Sequence, residues 1–259
     1  MRKLLPRIVL AAALAWCLSA QAFSPYENYL ASGKPRQVGL IARVHPDRLQ
    51  DLPEAFAKLQ SADEKAAQAK AGIRNLSAFT REIGDQTWLV LHFVQDGNRP
   101  YLGAARDFEG ATPGTRGLGE LVIPHERARR FGSRWLQMEW INYIRGRDIS
   151  IPARSRLMIV TTVIPEKEQE YRSLHQTVWP GVVDQVVRGN LRDLCVFMTG
   201  IDDLLVEFLY LEYVGDDQAK DDARNNSDII NQRWWKLTDA CQRGLPGVDG
   251  NWVSMDPVE

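Results

Sequence analysis

Two apolar runs, one in each half of the chain, share the same order of residue types. Residues 38–47 and 157–166 are both rich in β-branched side chains, and each closes with valine, any residue, proline and an acidic residue. An apolar run of this length favours a buried strand, and proline followed by an acidic residue favours the start of a helix. Each half is therefore predicted to begin with a strand that leads directly into a helix.

The segments that follow these runs also match. A helix-rich stretch closes at Gly72 in one half and at Gly189 in the other, and glycine readily takes the left-handed conformation that ends many helices. Two more strands with acidic turn residues between them come next, and a last matching segment closes each half. The order β-α-β-β-α is that of the ferredoxin-like α+β folds. The matched segments are residues 76–80 with 194–199, 88–94 with 204–214, and 134–135 with 233–234.

This repeat predicts an α+β fold of two tandem ferredoxin-like units, residues 37–145 and residues 156–245. The sheet of such a unit has one face without helices, and two units commonly bury those faces against each other. Since both units lie on one chain, we predict an intramolecular dimeric α/β-barrel, with two independent modules as the alternative. Residues 145–156 are predicted to be a linker. The glycine-rich residues 98–120 are predicted to be a surface loop or a lid over a pocket.

The first residues have the features of a secretory signal peptide. Three basic residues precede a mostly apolar run over residues 8–20, and Ala20-Gln21-Ala22 is a small-x-small cleavage site. The run is shorter than the roughly 20 apolar residues that a membrane helix needs. We therefore expect removal of residues 1–22 and a periplasmic or secreted protein without stable membrane insertion. An uncleaved N-terminal anchor is the alternative.

Charge and cysteine content narrow the possible partners. The net charge of −1 argues against a nucleic-acid partner, because phosphate binding needs a basic face. No paired histidine or cysteine spacing and no phosphate-binding glycine loop occurs, so neither a metal nor another cofactor is expected. Cys195 and Cys241 remain in the mature chain, where they either form a disulfide or stay as buried thiols.

The candidate chemistry lies on the first helix of the second half. Tyr171 and His175 are four residues apart, so their side chains share one helical face, and Trp179 continues that face. Pro180 disfavours a helical conformation at the residue before it. We therefore expect the helix to break near Val178 and a second helical segment to begin at the proline.

A tryptophan pair further along the chain adds apolar ring surface. Trp234 and Trp235 are adjacent, so on a helix they point about 100° apart, and one faces the core while the other lines a pocket. Arg233 beside them is either a stacking cation or an ion-pair partner. Histidine exchanges protons near neutral pH, and indole faces suit the C–H surface of a pyranose. The alternative is that His175 and the tryptophans only pack within the fold.

This pattern resembles the L-rhamnose mutarotase family over roughly residues 156–245. The resemblance implies a dimeric α/β-barrel and an isomerase that interconverts the anomers of L-rhamnose or a related deoxy sugar without a cofactor. It implies catalysis by His175 with Tyr171, and sugar contacts from Tyr171 and the tryptophans. The motif Tyr-x-x-x-His-x-x-x-Trp-Pro followed by Gln-Arg-Trp-Trp falls on Tyr171, His175, Trp179, Pro180, Gln232, Arg233, Trp234 and Trp235. The predicted substrate-binding residues are Tyr171, Trp179, Arg233, Trp234 and Trp235.

The chain departs from the family at one predicted sugar contact. The family carries a tyrosine on the second strand, and Leu194 stands at that position. A non-catalytic sugar-binding protein with the same pocket is therefore the alternative function, and a cofactor-free oxygenase of the same barrel class is a third possibility. Glu207 or Glu212, on the third strand, is predicted to orient His175 if its side chain points inward.

The first half lacks the candidate catalytic residues. Counted from the shared proline, Leu52 and Phe56 align with the tyrosine and the histidine of the second half; counted from Gly72, Glu54 and Lys58 do so. Neither alignment supplies a histidine. We expect the first half to be catalytically silent and to serve as a packing surface.

Overall fold

The computed structural model describes residues 33–148 and 150–259. The predicted signal peptide, residues 1–22, lies outside them. The fold is α+β, with two antiparallel sheets that carry helices. None of the helices in the described stretches combines the length and the apolar character that crossing a membrane requires.

The first half begins with the predicted strand and helix. A 3₁₀ turn over Pro46–Asp51 joins them, where the sequence has the proline and acidic residue. The elements of this half are β1 (Arg36–Val44), α1 (Leu52–Leu59), α2 (Ala62–Lys70), β2 (Ile73–Ile83), β3 (Gln86–Gln95), α3 (Ala104–Glu109), α4 (Pro113–Gly119), β4 (Val122–Ile123), α5 (Glu126–Arg129), β5 (Leu136–Gln137) and β6 (Glu139–Gly146).

The second half repeats this order with longer late helices. Its first strand and first helix are again joined by a 3₁₀ turn, over Pro165–Lys167. The elements are β7 (Ser155–Val163), α6 (Glu168–Gln176), α7 (Pro180–Arg188), β8 (Leu191–Ile201), β9 (Leu204–Tyr213), α8 (Gln218–Ser227), α9 (Ile229–Asp239), β10 (Val253–Ser254) and β11 (Asp256–Pro257).

The chain passes from one sheet to the other at two pairs of consecutive short strands. In the first sheet β3 lies between β1 and β2, and in the second β9 lies between β7 and β8. β5 pairs with β1, whereas β6 directly after it pairs with β8 of the other sheet. In the same way β10 pairs with β7, whereas β11 pairs with β2. Each sheet therefore has an edge strand, β6 or β11, that follows directly after a strand of the other sheet.

Backbone conformation repeats as well as strand order. Residues with positive φ occur at matching places in the two halves: after the second helix, at a bulge in the second strand, and in the turn that follows it. The helix of the second half ends at Gly189 as predicted, but the prediction that this glycine is left-handed is wrong. Its φ is −71°, and the next residue, Asn190, takes the left-handed conformation. Asparagine tolerates this conformation better than other non-glycine residues. The matching pairs are Gly72 with Asn190, Asn75 with Asp193, and Gly84 with Asp202.

An apolar cluster fills the space between the two sheets. Ile41, Phe79 and Val90 of the first sheet pack in this cluster with Phe197 and Phe208 of the second. Side chains alternate along each strand, so the opposite set points towards the helices. The sheets therefore pack on each other with one face, while the helices cover the other.

Polar contacts join the sheets beside this cluster. The rings of His92 and Tyr210 stack with their centroids 3.6 Å apart. Asn75 Nδ2 donates a hydrogen bond of 2.6 Å to the carboxylate of Glu212, which also accepts one of 2.7 Å from Arg192 Nε. A buried carboxylate that is paired with an arginine and several donors is compatible with this interior position.

Two predictions about the first half are wrong. The glycine-rich residues 98–120 contain α3 and α4, and Phe108 and Leu118 from this stretch are buried in the core. A capping box at Thr112 starts α4, and burial of the apolar residues holds the segment against the sheet. Residues 134–135 precede a short strand, whereas residues 233–234 lie within α9, so these two segments are not equivalent.

Cys195 and Cys241 are free, buried thiols. Cys195 belongs to the apolar cluster between the sheets, whereas Cys241 packs with Tyr171 and Met198 on the helix side of the second sheet. A sheet thus separates the two sulfur atoms, and of the two alternatives the structure has the unpaired one.

We expect Phe108→Ala to lower the free energy of unfolding by about 3–5 kcal/mol, because it removes a fully buried ring from the core of the first half. Phe131→Ala is the control, since Phe131 is 74% exposed, and it should change stability by no more than about 0.5 kcal/mol. Urea titration of both variants measures the difference. Equal effects would contradict the placement of the 98–120 segment in the core.

Candidate functional site

A cavity of about 490 Å³ lies between the second sheet and its helices. Glu207, Leu209 and Leu211 of β9 form part of its floor, because they alternate with Phe208 and Tyr210, which face the other sheet. Residues of α6, α7, α8 and α9 form the opposite wall. A cavity of this volume falls in the range of small-molecule binding sites.

The corresponding space in the first half is filled. Leu89, Leu91 and Phe93 of β3 face the helices there and are fully buried. Phe108 stacks on Phe93 with ring centroids 5.5 Å apart, and Trp135 packs edge-on against Phe108. Aromatic side chains therefore occupy in the first half the volume that is open in the second. The catalytic silence of the first half stays a prediction.

The predicted helix break positions His175 at the cavity. α6 ends at Gln176, and Trp179 is the N-cap of α7, which begins at Pro180 as predicted. His175 Nδ1 lies 3.1 Å from the backbone oxygen of Tyr171. Because a carbonyl oxygen only accepts hydrogen bonds, Nδ1 carries the proton and Nε2 keeps a lone pair.

The environment of His175 keeps its ring neutral. Burial lowers the pKa of His175 to about 4, opposed by the hydrogen bond with the Tyr171 backbone. The side chain lines the cavity, and in the described part of the chain no hydrogen bond involves Nε2. At neutral pH the ring therefore presents a free basic nitrogen to a ligand.

Three polar side chains meet at the deep end of the cavity. Gln242 Nε2 donates hydrogen bonds of 3.3 Å to the Tyr171 hydroxyl and 3.2 Å to Glu207 Oε2. Gln242 thus links the Tyr171 hydroxyl to the Glu207 carboxyl. Burial raises the pKa of Glu207 to about 8, although its polar contacts with Tyr171 and Gln242 lower it. Burial, and next the neighbouring Glu207, raise the pKa of Tyr171. At neutral pH Glu207 is therefore mostly a protonated acid.

Aromatic side chains cluster around His175. The Tyr171 ring lies 4.3 Å from the imidazole, and the Trp234 ring meets it edge-on at 5.7 Å. Trp179 packs edge-on against Trp234 at 5.6 Å and does not line the cavity. Trp235 lines the cavity and is 37% exposed. One indole is thus buried at the site and the other stands near its opening.

Of the predicted site residues, the structure brings together Tyr171, His175, Trp234 and Trp235. Arg233 is exposed and does not line the cavity, because neighbouring residues of a helix point about 100° apart and Trp234 faces inward. Arg233 and Trp179 stay predictions as sugar contacts without a position at the cavity wall.

The two candidate glutamates on β9 lie on opposite faces of the sheet. Glu207 faces the cavity, whereas Glu212 binds Arg192 in the polar contact between the sheets. Glu212 therefore cannot orient His175, and no hydrogen bond joins Glu207 to the imidazole among the described residues. The prediction that one of them orients the histidine is not supported by these contacts.

Several cavity residues carry no sequence signal. Gln242 reaches the site because its backbone bridges to Val163 at the sheet edge, well outside the recognised motif. Trp252 comes from the C-terminal segment, and Asn225 and Asn231 come from helices with no distinguishing pattern. Their positions depend on chain packing that spacing along the sequence does not encode.

The cavity wall formed by the described residues contains no lysine or arginine. Its two carboxyl groups belong to Asp239 and to Glu207, which is mostly protonated at neutral pH. Within that same part of the chain, no group of three or more histidine, cysteine, aspartate or glutamate side chains is arranged to hold a metal ion. The wall therefore suits neutral ligands with hydroxyl groups better than anionic ones.

We expect Glu207→Gln to change how stability depends on pH. Between pH 4.5 and about 8 the carboxyl is ionised in the unfolded chain and protonated in the fold. Folding then takes up a proton, so wild-type stability declines as pH rises through this window, by up to about 1.4 kcal/mol per pH unit. Glutamine lacks this contribution. Guanidinium unfolding of both proteins at several pH values measures the difference, and parallel profiles would contradict the raised pKa.

Comparison with solved structures finds proteins that align over most of this chain at low sequence identity and low TM-score. A protein of Fusobacterium nucleatum described as a monooxygenase has a TM-score of 0.49 and 11% identity, covering 88% of this chain and 94% of that one. An anthrone oxidase-like protein has a TM-score of 0.44 and 14% identity, with 88% and 92% covered. A chlorite dismutase from Candidatus Nitrospira defluvii has a TM-score of 0.38 and 12% identity, with 90% and 96% covered.

Sequence comparison identifies relatives of the second half. An L-rhamnose mutarotase from Oceanobacillus iheyensis is 29% identical over 100 residues, which are 39% of this chain and 89% of that protein. One from Pectobacterium atrosepticum is 24% identical over 103 residues, 40% of this chain and 94% of that protein. The family model for L-rhamnose mutarotase matches residues 156–258. The part of the chain that holds the cavity therefore matches the L-rhamnose mutarotase family, as its tyrosine, histidine and tryptophan pattern predicts.

Proposed function

We propose that this protein is an exported sugar mutarotase that interconverts the anomers of L-rhamnose or a related neutral deoxy sugar. The observation that carries the proposal is the free Nε2 of His175 in a cavity that also contains Tyr171 and Trp234. A proton-transfer group beside aromatic faces is the combination that opening and closing a pyranose ring requires. The match of residues 156–258 to a sugar mutarotase family supports it.

His175 acts on the anomeric hydroxyl. In the ring-opening step Nε2 takes the proton of that hydroxyl, and after rotation of the aldehyde it returns the proton as the ring closes on the other face. A neutral imidazole is required at the start, and burial keeps His175 neutral above its lowered pKa. General acid–base catalysis of this kind contributes about 10²–10⁴-fold, which suffices for a reaction that also proceeds in water.

The cavity wall favours a neutral sugar. A sugar phosphate or a uronic acid would bring its charge into a cavity whose described wall offers no cationic partner. Trp234 and Trp235 provide apolar surface for the ring C–H groups and for a methyl group. Among sugars of the same size, deoxy sugars without a charge therefore fit best.

We infer that the two halves form one intramolecular dimeric α/β-barrel. Three features support this: the repeated strand order, the apolar cluster between the sheets, and the crossing of β5–β6 and β10–β11 from one sheet to the other. The first half then acts as a built-in partner that supplies a packing face. Export to the periplasm or beyond the cell rests on the basic and apolar N-terminal pattern of residues 1–22.

We expect His175→Ala to lower anomer exchange of L-rhamnose about 10²–10⁴-fold, because it removes the base that acts on the anomeric hydroxyl. Saturation-transfer NMR measures the exchange rate at equilibrium. His45→Ala is the control, since His45 lies in the turn after β1 and outside the cavity. Unchanged exchange in a folded His175→Ala protein would remove this histidine from the mechanism.

A non-catalytic sugar-binding protein is the second candidate function. Leu194, in place of the family tyrosine, lines the cavity together with other aliphatic side chains, so the hydroxyl expected there is missing. Titration of sugars against tryptophan fluorescence, in parallel with the exchange measurement, separates binding from turnover. Binding with no exchange above the uncatalysed rate would favour this second function.

We expect Leu194→Tyr to tighten L-rhamnose binding about 2- to 10-fold, because a new hydrogen bond contributes about 0.5–1.5 kcal/mol. Leu102→Tyr is the matched control, since Leu102 is 86% exposed and outside the cavity. The same fluorescence titration measures both dissociation constants. Weaker binding in Leu194→Tyr would show that the site has been reshaped around the leucine.

A further inference from the structure

Glu207 is a buried acid that has no cationic partner among the residues the structure describes. Its side chain has no exposure to solvent and lines the cavity. On the same strand, buried Glu212 is paired with Arg192 and Arg156. Burying an unpaired carboxylate carries a large desolvation cost, so buried carboxyl groups are usually paired, hydrogen-bonded or protonated. Glu207 accepts one hydrogen bond, from Gln242, and is mostly protonated at neutral pH.

One oxygen of this carboxyl is left for a ligand. Oε2 accepts the hydrogen bond from Gln242 Nε2. Oε1 is buried and has no hydrogen-bond partner in the described part of the protein. Unsatisfied buried polar atoms are rare, and one that faces a ligand cavity indicates a group that becomes satisfied when the ligand binds.

The fold does not need an acid at this position. Register along the matching strands places Leu89 of β3 where Glu207 stands in β9, and this leucine is fully buried under the helices of the first half. An apolar residue at this place therefore folds and packs. A glutamate in the second half gives up that packing, which indicates a functional reason for it.

We propose that Glu207 is a second catalytic residue, the acid that donates a proton to the ring oxygen while His175 takes one from the anomeric hydroxyl. This inference rests on the proposed mutarotase function and divides its two proton transfers between two side chains. The Tyr171 ring packs against His175, and Gln242 Nε2 donates hydrogen bonds to both the Tyr171 hydroxyl and Glu207 Oε2. The acid and the base therefore lie at the two ends of one tyrosine side chain.

The step is balanced in protons and electrons. His175 Nε2 removes the proton from O1, the O1–C1 bond becomes a carbonyl, and the C1–O5 bond breaks with its electron pair on O5. O5 takes the proton of the Glu207 carboxyl, which leaves an open-chain aldehyde, a protonated imidazole and a carboxylate. After rotation about the C1–C2 bond, O5 attacks the other face of C1 and returns its proton to Glu207, and His175 returns its proton to O1.

The test compares Glu207→Gln with the wild-type protein by saturation-transfer NMR on L-rhamnose. Glutamine keeps the size of the side chain but has no acidic proton. We expect exchange to fall at least tenfold, while the dissociation constant from tryptophan fluorescence changes less than threefold. Glu170→Gln is the control, because Glu170 lies on the same helix as His175, is exposed, and pairs with Lys167 outside the cavity.

A pH profile separates acid catalysis from a structural role. Wild-type exchange should decline above pH 8, because the pKa of Glu207 is about 8 and the donor form is lost there. The residual exchange of Glu207→Gln should lack this decline. Tyr171 is the titratable group next to the acid, His175 and Asp239 line the same cavity, and Cys241 packs with Tyr171. Burial raises the pKa of Tyr171, Asp239 and Cys241 above their ordinary values.

Glu207→Leu introduces the residue type that the first half has at the matching position, Leu89. It provides a second test in case the glutamine variant does not fold. It should fold, keep sugar binding, and also lose exchange. Wild-type exchange in Glu207→Gln and Glu207→Leu, with His175→Ala inactive, would overturn the role of Glu207 and leave the proposed function in place. Absence of exchange in the wild-type protein on every sugar tested would overturn both. Loss of folding in both Glu207 variants would assign the residue to the fold and also overturn the inference.

Discussion

The packing of the two sheets against each other is the contact on which the cavity depends. A layer between helices and a sheet is normally filled, and leaving it open gives up dispersion and hydrophobic stabilisation. Here the cluster around Phe197 and Phe208 fixes the second sheet from its other face. The sheet is therefore held without help from a filled helical layer. That support allows a space of about 490 Å³ to stay open beneath α6, α7, α8 and α9.

The two halves share one order of strands and helices but differ in how the layer between sheet and helices is filled. Rings such as Phe93 and Phe108 close the helical layer of the first half. At the equivalent depth of the second half stand a histidine with a free nitrogen and a buried acid, Glu207, with a free oxygen. Polar groups of this kind weaken a core unless something binds them. The stability that the second half gives up is compensated by the apolar contacts of the first.

The sequence predicted much of the second half and less of the first. Hydrophobic runs, prolines and a spacing of four residues correctly indicated the strands, the break before Pro180, and the meeting of Tyr171 with His175. Residues 98–120 were assigned to a loop because glycine content conceals helices that tertiary packing stabilises. Gln242 was missed, since its place at the site follows from a bridge to a distant strand. Local sequence patterns predict local structure, whereas contacts between segments that are distant in the sequence can be identified only from the fold.

The exchange of edge strands has a consequence for how the protein tolerates dilution. β6 and β11 each complete a sheet that begins in the other half, and one covalent chain carries both partners. An association of separate subunits weakens as protein concentration falls, whereas tethered partners face each other at an effective concentration on the order of millimolar. The architecture around the cavity is therefore independent of the concentration of the protein.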